Sequence, residues 1–160
     1  MVTQANQVKL DRYFNIVKIF LFVAPVLGYL YAANGATMAG ITLPELLAQN
    51  PSITITFLMT MVAPYIAFLL GLLQKKLLAQ DYPGAVLNLI LLFIAQLFTQ
   101  NLFYIMLLGY LLYKTTTVYN LNIRENLKTI KPKYLFMECG GSFIVIVLYL
   151  ICFYASLQIR

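Results

Sequence analysis

The sequence contains no histidine, only two cysteines and only five acidic residues among 160. Each scarcity removes a class of chemistry. Without imidazole, and with Cys139 and Cys152 on one predicted helix, no common zinc, haem or iron–sulfur ligand set can be assembled. At about 1.5 Å of rise per residue the two thiols stand ~20 Å apart, beyond the ~7 Å Cα separation a disulfide tolerates. Asp11, Glu45, Asp81, Glu125 and Glu138 all fall in expected loops or at helix ends. No carboxylate is therefore placed mid-membrane to relay protons or couple ions. Paired carboxylates for acid–base work and glycine-rich phosphate loops are missing too, and Cys139 has no histidine to activate it as a nucleophile. These absences point to a protein that is not an enzyme and carries no cofactor and no metal.

Charge is scarce as well: 10% of the residues are charged and 62% are hydrophobic. A soluble domain carries roughly a quarter charged residues, because its surface must face water. Here the charges leave four uncharged windows, Ile19 to Pro44, Leu46 to Gln74, Tyr82 to Tyr113 and Cys139 to Ile159. Each reaches the ~20 residues that a helix needs to cross ~30 Å of hydrocarbon. The composition thus predicts an all-α integral membrane protein, one polytopic domain over residues 1–160. The first apolar run, with Lys9, Arg12 and Lys18 before it, is expected to be a retained helix and not a cleaved leader, since no small-residue cleavage site closes it.

Membrane helices are expected at 14–33, 53–73, 83–99, 101–113 and 135–156. Lys18 would snorkel back to the headgroups. Between the first two helices, Thr42-Leu43-Pro44-Glu45 has the spacing of a capping box and predicts a short interfacial helix closed near Asn50-Pro51. Asp81 with Pro83 starts a further helix.

Residues 83–113 decide the topology. One straight helix there would be about 46 Å long, and two helices broken at Thr99-Gln100-Asn101 would each be about 20 to 25 Å. Length does not choose between them, but charge does. Lys and Arg collect on the cytoplasmic side, and the basic residues lie in segments 1–13, 74–82 and 114–134. All three share one side only if 83–113 goes in and returns. The expectation is about five membrane helices, with the N-terminus inside and the C-terminus outside. They count as three full spans plus a hairpin that crosses or re-enters. The tyrosines agree: Tyr29, Tyr31, Tyr104 and Tyr154 fall near one interface, and Tyr13, Tyr82, Tyr113, Tyr119 and Tyr134 near the other.

A short repeat marks the first two spans: Val23-Ala24-Pro25 against Val62-Ala63-Pro64. Both copies place a proline mid-span and a small residue every fourth position, Ala24, Gly28 and Ala32 in one, Ala63, Ala67 and Gly71 in the other. Such stripes let helix backbones approach closely in lipid. The two helices are expected to pack along them, in opposite directions, so that the prolines meet near mid-membrane. Paired interruptions of this kind are also where transporters expose backbone carbonyls to a solute. A second feature is the polar series Asn88, Gln96 and Thr99 on the third membrane helix, suited to bonding between helices or to lining a path. A third is Glu138-Cys139-Gly140-Gly141-Ser142, where the glycines permit close approach and Glu138 suits a helix start.

Two functions are consistent with these residues. The first is a non-catalytic small subunit, accessory or protective (immunity-like) factor that packs against a membrane partner or a second copy of itself. The second is a small-solute transporter or channel, with its site at Ala24, Pro25, Gly28, Ala63, Pro64, Ala67, Asn88 and Gln96. The segment with Lys114, Arg124, Lys128, Lys131 and Lys133 would touch a cytoplasmic partner or anionic lipid. The net charge of +6 is split among juxtamembrane segments and forms no single stripe, which argues against nucleic acid. Minimal loops suggest a bacterial plasma membrane.

Overall fold

A computed structural model describes residues 4–99, 101–121 and 132–159. Every regular element among them is helical: α1 (Gln4–Ala39), α2 (Leu43–Gln49), α3 (Pro51–Leu78), α4 (Tyr82–Leu97), α5 (Leu102–Val118) and α6 (Pro132–Gln158). Three of these, α1, α3 and α6, are long and apolar enough to cross a membrane, whereas α4 and α5 are shorter.

The expected span 14–33 is the middle of a longer helix. Nothing between residues 4 and 39 breaks α1, and Thr37 returns its hydroxyl to the Ala33 carbonyl instead of ending the helix there. The break comes at Gly40. Its φ is +66, its N–H bonds Thr37 O, and the Ile41 N–H reaches Ala36 O. That pair of bonds is the Schellman ending, which places its turn residue in the left-handed region. The same pair recurs at Gln80 (φ 63) and at Asn120 (φ 53), closing α3 and α5. The other helices likewise extend their expected spans by a few residues at one or both ends, except that α4 stops at Leu97.

The capping box forms as its spacing predicts: the Glu45 carboxylate accepts from the Thr42 N–H and the Thr42 hydroxyl, both at 2.8 Å. Asn50 ends α2 and precedes Pro51, which opens α3, and the Thr54 hydroxyl donates back to Leu47 O across the junction. At the start of α5, Asn101 Oδ1 accepts from the Phe103 N–H at 3.1 Å, a side-chain N-cap.

Pairwise contacts fix the directions. α1 and α3 are antiparallel, with Lys18 bonded to Gln74 at one level and Gly28 against Thr60 further along. α4 and α5 form an antiparallel hairpin: the rings of Tyr82 and Tyr119 lie 5.1 Å apart at its open end, and Phe93 meets Gly109 nearer the turn. α5 runs antiparallel to α1 through Tyr13–Tyr110 and Phe20–Phe103. α6 runs parallel to α4, through Asn88–Ser142 and Phe98–Phe153, and antiparallel to α3, through Leu69–Gly141 and Met59–Tyr149. The start of α1, the α3–α4 turn and the end of α5 therefore gather at one end of the bundle.

The helix α4 is the most enclosed. Gly84 to Leu89 are buried without interruption, followed by Leu92, Ala95 and Gln96. The long helices instead expose apolar side chains outward, among them Phe22, Val26, Tyr31, Phe68 and Ile151. An apolar exterior around a core that holds its own amides is the arrangement expected of helices in lipid.

Candidate functional site

The hairpin is much shorter than the helices around it. At about 1.5 Å per residue, α4 and α5 are ~24 and ~26 Å long, against ~54 Å for α1 and ~42 Å for α3. Its turn, with Phe98, Thr99 and Asn101, stops part-way along them, beside a cavity of about 90 Å³. The cavity is lined by Leu21 of α1, by Thr56, Met59, Thr60 and Ala63 of α3, by Gln96, Thr99, Asn101 and Tyr104 around the turn, and by Tyr149 of α6. Seven of these ten side chains carry a hydroxyl or an amide and none is charged. At ~30 Å³ per molecule the volume matches about three waters.

The prolines bear directly on this chamber. Proline lacks an N–H, so the carbonyl four residues earlier loses its helical donor. For Pro25 that carbonyl belongs to Leu21, and for Pro64 to Thr60, and both residues line the one cavity. The Lys18–Gln74 and Gly28–Thr60 contacts on either side put Pro25 and Pro64 at the same level of the antiparallel pair.

Gln96 is 1% exposed. Its Oε1 accepts from the Thr99 hydroxyl at 3.2 Å, and it borders the same cavity as Tyr149. Tyr149 donates to Met59 O at 3.4 Å, which ties α6 to α3 at this level. Asn88 lies about two helical turns nearer the start of α4, away from the chamber. Its Oδ1 accepts from the buried Ser142 hydroxyl at 2.8 Å, and its Nδ2 donates to Gly84 O at 2.9 Å. The structure therefore separates two residues that the sequence groups on one polar face.

The small residues divide similarly. Ala24, Ala32, Ala63 and Ala67 are buried in the core. Gly28 approaches α3 so closely that an added Cβ would lie 2.4 Å from Thr60 Oγ1. Gly71, by contrast, faces open space, as does Gly140 of the Glu138–Ser142 feature, so neither is a close-packing point. Gly141 is one, against Leu69 and Tyr65.

Lys18 lies toward the opposite end of the α1–α3 pair. Its ammonium donates to Gln74 Oε1 at 2.9 Å, and Gln74 Nε2 donates to Asp11 at 2.8 Å, a bridge between α1 and α3. Lys114 sits 5.5 Å over the Tyr110 ring. Arg124, Lys128 and Lys131 lie outside the described residues, and Lys133 falls on the first turn of α6. Cys139 is buried and Cys152 half-buried.

Sequence reasoning missed the contributions of Thr56, Thr60, Tyr104 and Tyr149 to the chamber. The available signal was positional: Leu21 and Thr60 stand four residues before the two prolines. No protein-family model, curated protein sequence or solved structure matches this chain.

Proposed function

We propose that this chain is a non-catalytic, multi-pass membrane protein whose uncharged chamber binds and passes a small hydrogen-bonding solute. The observation that carries this reading is the depth of the hairpin turn. Asn88 packs at the level of Leu69 to Lys76 of α3, beside the Lys18–Gln74 bridge. If that polar level marks the edge of the hydrocarbon, the turn after Thr99 lies ~17 Å further in, about half of a ~30 Å bilayer core. The hairpin then re-enters without crossing, and α1, α3 and α6 are the full spans. Non-helical backbone at such depth is tolerated where protein buries it or where it lines a water-filled cavity, and a cavity adjoins it here. Hydroxyls and amides without charge select neutral solutes with donors and acceptors, while ions would face an uncompensated desolvation cost.

Reconstitution into proteoliposomes tests this. Stopped-flow light scattering with glycerol or urea should show faster solute entry than protein-free vesicles. Gln96→Phe should return the rate to that of the lipid alone while the protein stays folded. No excess permeability for any neutral solute tried would remove the reading.

A second reading, a small accessory or protective subunit, is favoured by the far half of α1. Val26, Leu27, Leu30 and Tyr31 are exposed there, beyond the reach of the hairpin, and suit a membrane partner or a second copy. A reproducible companion in mild-detergent pull-downs, with inert proteoliposomes, would favour it. The buried alanines of the stripes count against their use as an external docking face, since α1 and α3 already consume them. A bacterial plasma membrane remains the proposed location.

A further inference from the structure

We propose that the recess between the first turns of α1 and the last turn of α5 binds the phosphate group of an anionic phospholipid. The recess has a volume of about 190 Å³ and is lined by Asn6, Lys9, Leu10, Tyr13, Lys114 and Val118. Two lysines, a tyrosine and an asparagine therefore line one space, and among the described residues no carboxylate lines it. The donors come from helices 100 residues apart in sequence, brought together because the hairpin returns α5 alongside α1. Lys114 Nζ lies 5.5 Å over the Tyr110 ring, which itself packs edge-on against Tyr13 with centroids 5.3 Å apart. Lys9 is exposed and free to close on a ligand. Asp11, the acid on α1, accepts from Gln74 at 2.8 Å and also lies within electrostatic reach of Tyr119 at the end of α5.

Location selects the phospholipid. The recess lies on the far side of the Lys18–Gln74 bridge from the chamber, where the long apolar stretches of α1 and α3 give way to charge. Headgroup phosphates occupy that layer of a bilayer at high local concentration, and each nearby Lys strengthens the attraction to anionic lipid. Leu10 and Val118 supply an apolar floor against which the glycerol end of a lipid can rest.

The test uses the full chain in mild detergent, equilibrated with phosphatidylglycerol and phosphatidylcholine in equal amounts and read by native mass spectrometry. Phosphatidylglycerol should be retained preferentially. Lys9→Gln with Lys114→Gln should lower that retention by about tenfold or more, Lys9→Arg with Lys114→Arg should keep it, and Lys75→Gln with Lys76→Gln should leave it intact. Thermal unfolding of each variant controls for folding. Equal retention of both lipids by the unaltered chain would overturn the proposal, as would undiminished retention in the Gln pair. Displacement of the lipid by inorganic phosphate at matched concentration would reassign the recess to a soluble phosphate and overturn the lipid assignment.

Discussion

Tyr82 and Tyr119 stand 37 positions apart in the sequence, yet their rings approach to 5.1 Å. Only a chain that doubles back between them permits this, and both proposed sites depend on that return. The turn and the helix ends beside it supply four chamber residues, and the returning α5 supplies Lys114 and Val118 to the basic recess.

The closest helix approach should tolerate no methyl group. Gly28→Ala would press a Cβ into the Thr60 side chain, whose hydroxyl already donates to Phe57 O at 2.7 Å. Overpacking of this kind costs about 1 to 3 kcal/mol. Adding Thr60→Ala should recover most of the loss in a thermal-unfolding series, because it removes the atom that collides. An equally destabilised double variant would place the strain elsewhere.

Asn88 and Ser142 join α4 to α6 through a buried 2.8 Å bond. Hydrogen bonds between membrane helices average about 0.6 kcal/mol in double-mutant cycles. A cycle of Asn88→Ala and Ser142→Ala should return a coupling near that value. A coupling of zero would mean that each side chain finds another partner when the other is removed.

Gln80 occupies a left-handed position at the end of α3, the role that Gly40 fills at the end of α1. A side chain in that region costs roughly 1 to 2 kcal/mol per residue. Glycine loses more entropy on folding and returns part of this gain, so Gln80→Gly should raise stability by up to about 1 kcal/mol. Gly40→Val should lower it, and a destabilised Gln80→Gly would contradict the assignment of the turn.

The capping box predicts a local pH effect. The bonds from the Thr42 N–H and then the Thr42 hydroxyl hold the Glu45 carboxyl below its ordinary value of 4.5. A depressed acid contributes stability above its unfolded value and loses it as pH falls through the folded one. Exchange of the Thr42 and Leu46 amides should therefore be slow near neutrality and accelerate, relative to neighbouring helices, once pH drops below about 4.5. Glu45→Gln should remove that pH response.

Much of this was legible before any coordinates. The long uncharged windows pointed to the helices, the Thr42–Glu45 spacing to the short helix α2, and the distribution of lysine to the break near Thr99. The extent of α1 was not legible, because the residues around Asn34 carry loop-like composition and yet find intrahelical bonds, as Thr37 does. The chamber was half legible: the prolines mark the carbonyls they free, but no periodicity foretells that α6 delivers Tyr149 to the same level. Asn88 and Gln96 share a helical face, and only packing shows that one bonds to Ser142 while the other borders the cavity.

The doubling back of residues 82–119 is tested most directly by cysteine accessibility in intact cells, after Cys139→Ser and Cys152→Ser remove the native thiols. A membrane-impermeant maleimide should label Gly40→Cys from outside and should reach Thr116→Cys only after permeabilisation. External labelling of Thr116→Cys in sealed cells that also label Gly40→Cys would contradict the return of α5, and with it both proposed sites.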